Sequence, residues 1–207
     1  WLVNNGTEHQ LALSLHVLAG FLDMEGHLAA AEPLLRRAVA HWNAAGDRSA
    51  RARALLDLCA VHTHGSRYDE AITTAHEALD IARSLRDREL ESECIHRLSI
   101  PLWQTGQYRS ARALLKESLD SLLQTENLLR IARCRNLLGI NHLHLAENEE
   151  ALKCFTSALA DFTEIGDERG KYTTLNNMAE LHKRAGRPDA AESTYRQAMV
   201  MAERMGN

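Results

Sequence analysis

Proline and aromatic side chains are scarce in this chain, with only three prolines and 5% Phe, Trp and Tyr among 207 residues. Few prolines leave long helices uninterrupted. No run of apolar residues approaches the eighteen or so needed to span a bilayer as a helix, and the N-terminus has neither a basic leader nor a signal-type apolar run. A large charge of either sign is missing too: the net charge is −4, the pI is near 6.3, and acids and bases alternate at short intervals. That pattern gives no basic footprint for a phosphate backbone, so direct nucleic-acid binding is not expected. Cys59, Cys94, Cys134 and Cys154 form no Cys-x-x-Cys pair, which argues against a zinc ribbon or a dithiol redox motif and for reduced, interior thiols. No phosphate-binding loop, Gly-x-Ser-x-Gly or His-Glu-x-x-His occurs, so neither catalysis nor a cofactor is expected. The chain reads as cytoplasmic.

What the sequence has is a period. Gly26, Ser66, Gly106, Ala146 and Gly186 are each 40 residues from the next, without insertions. Five residues on, every repeat carries alanine: Ala31, Ala71, Ala111, Ala151 and Ala191. Twelve on stand Ala38, Ala78, Ser118, Ala158 and Ala198, then an apolar column of Val39, Leu79, Leu119, Leu159 and Met199. Eight before the column come Leu18, Leu58, Leu98, Leu138 and Met178, followed by the small residues Ala19, Cys59, Ser99, Gly139 and Ala179. Small side chains at these points let two helices approach closely. Within each segment the apolar spacing is three and four, as in Leu11, Leu15, Leu18, Ala19 and Leu22, which is helical periodicity. Gly46-Asp47 and Gly166-Asp167 read as a helix stop followed by an N-cap, with Asp87 and Asn127 in the equivalent places. The same column continued reaches Gly206, where another repeat or a cap would begin, so the chain from Trp1 to Asn207 reads as a piece of something longer.

These observations predict an all-α fold: a right-handed α-solenoid of five helix-turn-helix repeats, about ten antiparallel helices, in one domain over residues 1–207 (repeats near 8–46, 47–86, 87–126, 127–166 and 167–207). Repeat four, with Leu138-Gly139, Ala151, Phe155 and Ala158, resembles the tetratricopeptide repeat, as do Gly106-Tyr108-Ala111 in repeat three and Tyr68-Ala71-Ala78-Leu79 in repeat two. The period exceeds that family's usual one, and the terminal proline is missing. Trp1, Gly6, Leu11-Ala12-Leu13, Phe21, Gly26-His27-Leu28 and Leu35-Arg36-Arg37-Ala38-Val39 are similar to the C-terminal repeat arrays of bacterial signalling ATPases and antibiotic-type transcriptional regulators. The resemblance implies a sensor or regulatory part that binds a protein or peptide segment, possible partners including another domain of the same parent protein. Homo-oligomerisation or a scaffold role without a groove ligand is the alternative.

In that family the first helices line a concave groove. Residues thirteen, ten, six and three before the glycine column share one helix face. By resemblance the groove comprises Arg53, Leu56, His96, Ile100, Trp103, Arg133, Asn136, Ile140 and Asn176. Asn136 and Asn176, in one column and expected to be exposed, would clamp a bound main chain. Arg53 or Arg133 would hold an acidic group and Trp103 an apolar one. Pro101 falls inside a predicted helix and is expected to kink it there. Eleven histidines raise the question of metal. Those in His62-Thr63-His64 and His142-Leu143-His144 point apart on a helix, and with no completing carboxylate or thiol in view, His142 and His182 read as packing residues; no metal is expected.

Overall fold

The computed structural model describes residues 2–205, with side chains from His9 onward. Trp1, Gly6 and Gly206, used above, lie outside the residues described in full. Among the described residues there are ten α-helices and no strand: α1 (Leu2–Met24), α2 (Leu28–Ala45), α3 (Arg48–His64), α4 (Tyr68–Leu85), α5 (Arg88–Gln104), α6 (Tyr108–Leu122), α7 (Leu128–His144), α8 (Asn148–Glu164), α9 (Glu168–Arg184) and α10 (Pro188–Arg204). They fall into two compact units, residues 1–107 and 108–207. In the first, α1 packs on α2, α2 on α3, α3 on α4 and α4 on α5; in the second, α6 packs on α7, α7 on α8, α8 on α9 and α9 on α10.

The start and stop signals work as their chemistry requires. The side chains of Asp47, Asp87, Asn127 and Asp167 each accept a bond from the backbone N–H three residues on, at 2.9, 3.0, 3.2 and 3.0 Å, capping α3, α5, α7 and α9. At the other end of each first helix the residue of the 40-residue column has a left-handed backbone: φ is 79° at Gly26, 57° at Ser66, 74° at Gly106, 59° at Ala146 and 69° at Gly186. The following N–H then reaches back across the last turn, as from His27 to the Leu22 carbonyl (2.7 Å) and from Glu147 to that of His142 (2.9 Å). This doubly bonded stop satisfies carbonyls that the helix end would leave bare.

The packing follows the small columns. Ala31, Ala71, Ala111 and Ala151 are fully buried, as are Ala38, Ala78 and Ala158 and, in the first helices, Ala19 and Ala179. Bulk on one helix is matched by absence on its neighbour. Gly139 of α7 lies beneath the ring of Phe155, and Gly170 of α9 beneath that of Phe162. In the first unit Leu35 meets Ala19, and Trp42 has Ala50 packed against its cluster. Burying a Phe or Leu at such a joint contributes about 1.5–3 kcal/mol. Pro101 is buried within α5, which runs unbroken through it to Gln104. The four cysteines are unpaired thiols, and burial pushes all four up, Cys59 to about 11 and Cys94 and Cys134 to about 12.

Candidate binding surfaces and a histidine–carboxylate cluster

The residues read as a groove do not share one environment. In the first unit Arg53 is exposed and 3.9 Å from Glu93, Ile100 is open at the surface, His96 and Trp103 are half-buried, and Leu56 is buried. In the second, Arg133 is exposed, Ile140 and Asn176 are half-buried, and Asn136 is 8% exposed. The expectation that both asparagines face solvent therefore needs correction. Asn136 Oδ1 accepts a 3.1 Å bond from Asn177 Nδ2, and Asn176 Nδ2 donates to the Tyr172 carbonyl one turn back. The reason is register. His16 Nε2 and Asp57 Oδ2 make the matching contact between α1 and α3 in the first unit. The position ten before the column is thus a joint between successive first helices, which also explains why Leu56 is covered.

Two open clefts lie elsewhere, each between second helices of adjacent repeats and floored by the first helix between them. One, of about 610 Å³, is bounded by α2, α3 and α4. The other, of about 550 Å³, is bounded by α8, α9 and α10. They occupy the same register: Val39, Asn43, Arg51, Leu55, Thr73 and Glu77 line the first, and the residues 120 positions on, Leu159, Thr163, Lys171, Leu175, Ser193 and Gln197, line the second. Their chemistry differs. Acids and arginines that pair with one another, such as Arg51 and Glu77, border the first. The second is lined by the apolar Leu159, Leu175, Val200 and Met201 together with Lys171, Arg196 and Arg204, of which Lys171 pairs with Glu168 and Arg196 with Glu192, acids that do not line the cleft.

At the end of the first cleft stands a cluster the sequence reading did not assemble. His62 of α3 is 2% exposed. Its Nε2 lies 3.6 Å from Glu32 Oε1 of α2 and 3.7 Å from Glu70 Oε2 of α4. Its Nδ1 faces Thr74 Oγ1 at 3.3 Å. Thr74 donates its own proton to the Glu70 carbonyl at 2.7 Å and is thus set to accept from Nδ1; in that neutral tautomer Nε2 carries the lone pair, and it has no hydrogen-bond partner. Glu32 is gripped by Arg67 at 2.7 Å and by Arg36 at 2.7 and 2.9 Å; the Arg67 bond above all holds its carboxyl down to about 2. Arg67 also lies 3.5 Å from Glu70. Two periods on, the same places hold the opposite charges: Arg112 for Glu32 and Glu147 for Arg67, bonded at 2.9 Å, with His142 for His62. There the histidine bonds Glu147 directly at 2.5 Å. The absence of a completing carboxylate, assumed from sequence, does not hold for His62, because Glu32 and Glu70 reach it from two other helices.

The match of a tetratricopeptide repeat family model to residues 50–124 and 129–204, more than half of the chain, shows that the chain belongs to that family. Among curated proteins it is similar to the human SH3 domain and tetratricopeptide repeat-containing protein 2, 28% identical over 172 residues and 83% of this chain. The chain spans 10–13% of the length of the curated relatives it matches. Among solved structures it is similar to BtubC from P. vanneervenii, with a TM-score of 0.80, 21% identity, and 97% of this chain and 83% of that one covered. It is also similar to the Rap conjugation gene regulator of plasmid pLS20 in complex with the Phr* peptide, with a TM-score of 0.77, 16% identity, and 93% and 53% covered. These structures share the fold, which is the all-α tetratricopeptide type. No helix among the described residues is long and apolar enough to cross a membrane.

Proposed function

We propose that this chain is a protein- or peptide-binding module and forms the regulatory or sensing part of a longer protein, in the manner of the repeat arrays of bacterial signalling ATPases and transcriptional regulators. The observation that carries the binding reading is the cleft of α8, α9 and α10, lined by apolar residues together with three cationic side chains, which suits an amphipathic segment with an acidic edge. The cleft of the first unit at the same register supports reading it as a groove of the repeat, since that cleft stays open although α5 packs on α4 beyond it. The peptide bound by the Rap regulator supports the same class of ligand, though the first-helix stripe of Arg53, His96, Ile100, Trp103, Arg133, Ile140 and Asn176 is the surface the family resemblance favours.

Selection of peptides from a displayed library against the whole chain tests the reading. Acidic amphipathic sequences are expected, with binding lost in Lys171→Glu/Arg204→Glu and retained in Arg133→Glu/Asn176→Ala. Loss confined to the second pair moves the site to the first-helix stripe, and enrichment of nothing defeats the proposal.

Homo-oligomerisation is the second reading, and α1 favours it. Leu18 and Phe21 are 48% and 56% exposed, whereas Leu58, Leu98 and Leu138, and Val61, Pro101 and Leu181, are buried in the same columns. Such an apolar face calls for a cover. Light scattering that shows a monomer at high concentration removes this reading.

A further inference from the structure

We propose that Glu32, His62 and Glu70 form a binding site for one divalent transition-metal ion, Zn²⁺ by the chemistry of its donors, in the first unit. The three side chains offer ligand atoms within 4.8 Å of one another, from three consecutive helices. A tetrahedral zinc with bonds near 2.05 Å needs donors about 3.4 Å apart. The two His62 distances, 3.6 and 3.7 Å, are already close to that edge. The remaining one, between the two carboxylates, closes by movement of Glu70, whose side chain is 49% exposed. His62 and Glu70 line the end of the first cleft, from which water can complete the shell.

The imidazole is what separates this cluster from an ordinary patch of acids. An acceptor lone pair buried to 98% and aimed at two further acceptors is a costly arrangement unless a cation lies among them. Thr74 supplies the outer support that ligating histidines need, since it accepts from Nδ1 and so fixes both the tautomer and the ring plane. His142, two periods on, has its Nδ1 on Glu147 instead of a threonine hydroxyl, and among the described residues it joins no three-donor cluster.

The arginines decide which ion. Arg36 and Arg67 offset the charges of Glu32 and Glu70, so an ion enters a cluster of no net charge. Calcium and magnesium, which depend on accumulated carboxylate charge and on oxygen alone, gain little there. Zinc gains from the imidazole nitrogen. Entry displaces Arg36 from Glu32 Oε1, an i,i+4 pair whose guanidinium is half-exposed and can turn to solvent. Arg67 stays on the other oxygen and keeps Glu32 in place.

Calorimetric titration of the purified, chelator-stripped chain with Zn²⁺, and with Co²⁺ for its visible absorption, tests the site. The expected result is one saturable ion per chain, cobalt bands of a four- or five-coordinate N/O site, and a raised melting temperature. Glu70→Gln, at a surface position, is expected to keep the fold and weaken Zn²⁺ at least tenfold; His62→Gln is expected to abolish binding. No saturable uptake overturns the proposal, as does equal uptake by the parent and Glu70→Gln, which would put the ion on other histidines. Imidazole ¹⁵N resonances give a measure that needs no variant: His62 Nε2 moves on adding Zn²⁺ if it is a ligand. A resonance that stays fixed with zinc overturns the assignment.

Discussion

A Cβ placed on Gly139 would lie 2.5 Å from the ring of Phe155. The second carbon of an alanine therefore has no room while the phenyl ring keeps its place, and the ring is fully buried with no free side to move into. Gly139→Ala is expected to destabilise the second unit by about 1–3 kcal/mol through overpacking. Adding Phe155→Leu should recover part of the loss, since leucine over alanine is the pair already found at Leu35 and Ala19. Urea unfolding of the two variants measures this, and additive losses would show that the two positions do not compete for space.

Ala146 occupies a left-handed turn with φ at 59°, where its neighbours in the column are mostly glycine. Removing the side chain relieves a backbone penalty of about 1 kcal/mol, partly offset by the freer unfolded chain. Ala146→Gly is expected to raise the melting temperature, and Gly186→Ala, with φ at 69°, to lower it. A fall on Ala146→Gly would mean that the methyl group contributes packing the turn needs.

Each first-helix cap works alone, so Asp47→Ala or Asp167→Ala should cost about 1 kcal/mol. Circular dichroism melts, with the corresponding Asn variants as controls that keep the cap acceptor, check the assignment. Losses as large in the Asn variants would point to charge as the operative property.

Asn136→Ala should reduce stability by about 1 kcal/mol, since it leaves Asn177 Nδ2 without its partner. Asn176→Ala, whose amide donates only to its own helix, should fall within about 0.5 kcal/mol of the parent. Chemical denaturation separates the two, and equal effects would show that the inter-helix bond carries no weight.

Alkali should unfold the chain earlier than its helices alone require. Burial raises the thiols of Cys59, Cys94 and Cys134, so in the folded chain they stay protonated to about 11 or 12, whereas unfolded cysteines ionise near 9.0. A group whose folded value is raised adds full stability below the unfolded value, and that stability is lost as pH climbs from 9.0 toward 11–12. Cys→Ala variants at these sites are expected to flatten the alkaline limb of a stability–pH curve. Native alkylation at pH 8 should be slow at all three, and rapid modification of any would contradict its burial.

The fold was legible because its controlling residues recur. The column from Gly26 to Gly186 located the left-handed turn after each first helix, including those at Ser66 and Ala146, where a search for glycine would fail. The caps at Asp87 and Asn127 were legible by the same translation. The site was less so. A helical wheel assigns Asn136 to one face, but that face borders the next first helix, and only the pairing with Asn177 reveals that it is covered. Glu32, His62 and Glu70 are separated by 30 and 8 residues and belong to three helices, so no single periodicity draws them together. The turns at Gly46 and Ser66 bring them within reach.

Because each first helix ends in bonds between main-chain groups, the turn forms with glycine, serine or alanine in it, a side chain there costing about 1 kcal/mol. Mutational drift at these joints changes local stability by an amount a domain tolerates while the geometry of the hairpin persists. A chain put together this way can exchange the residues in its turns while the shape of its hairpins persists.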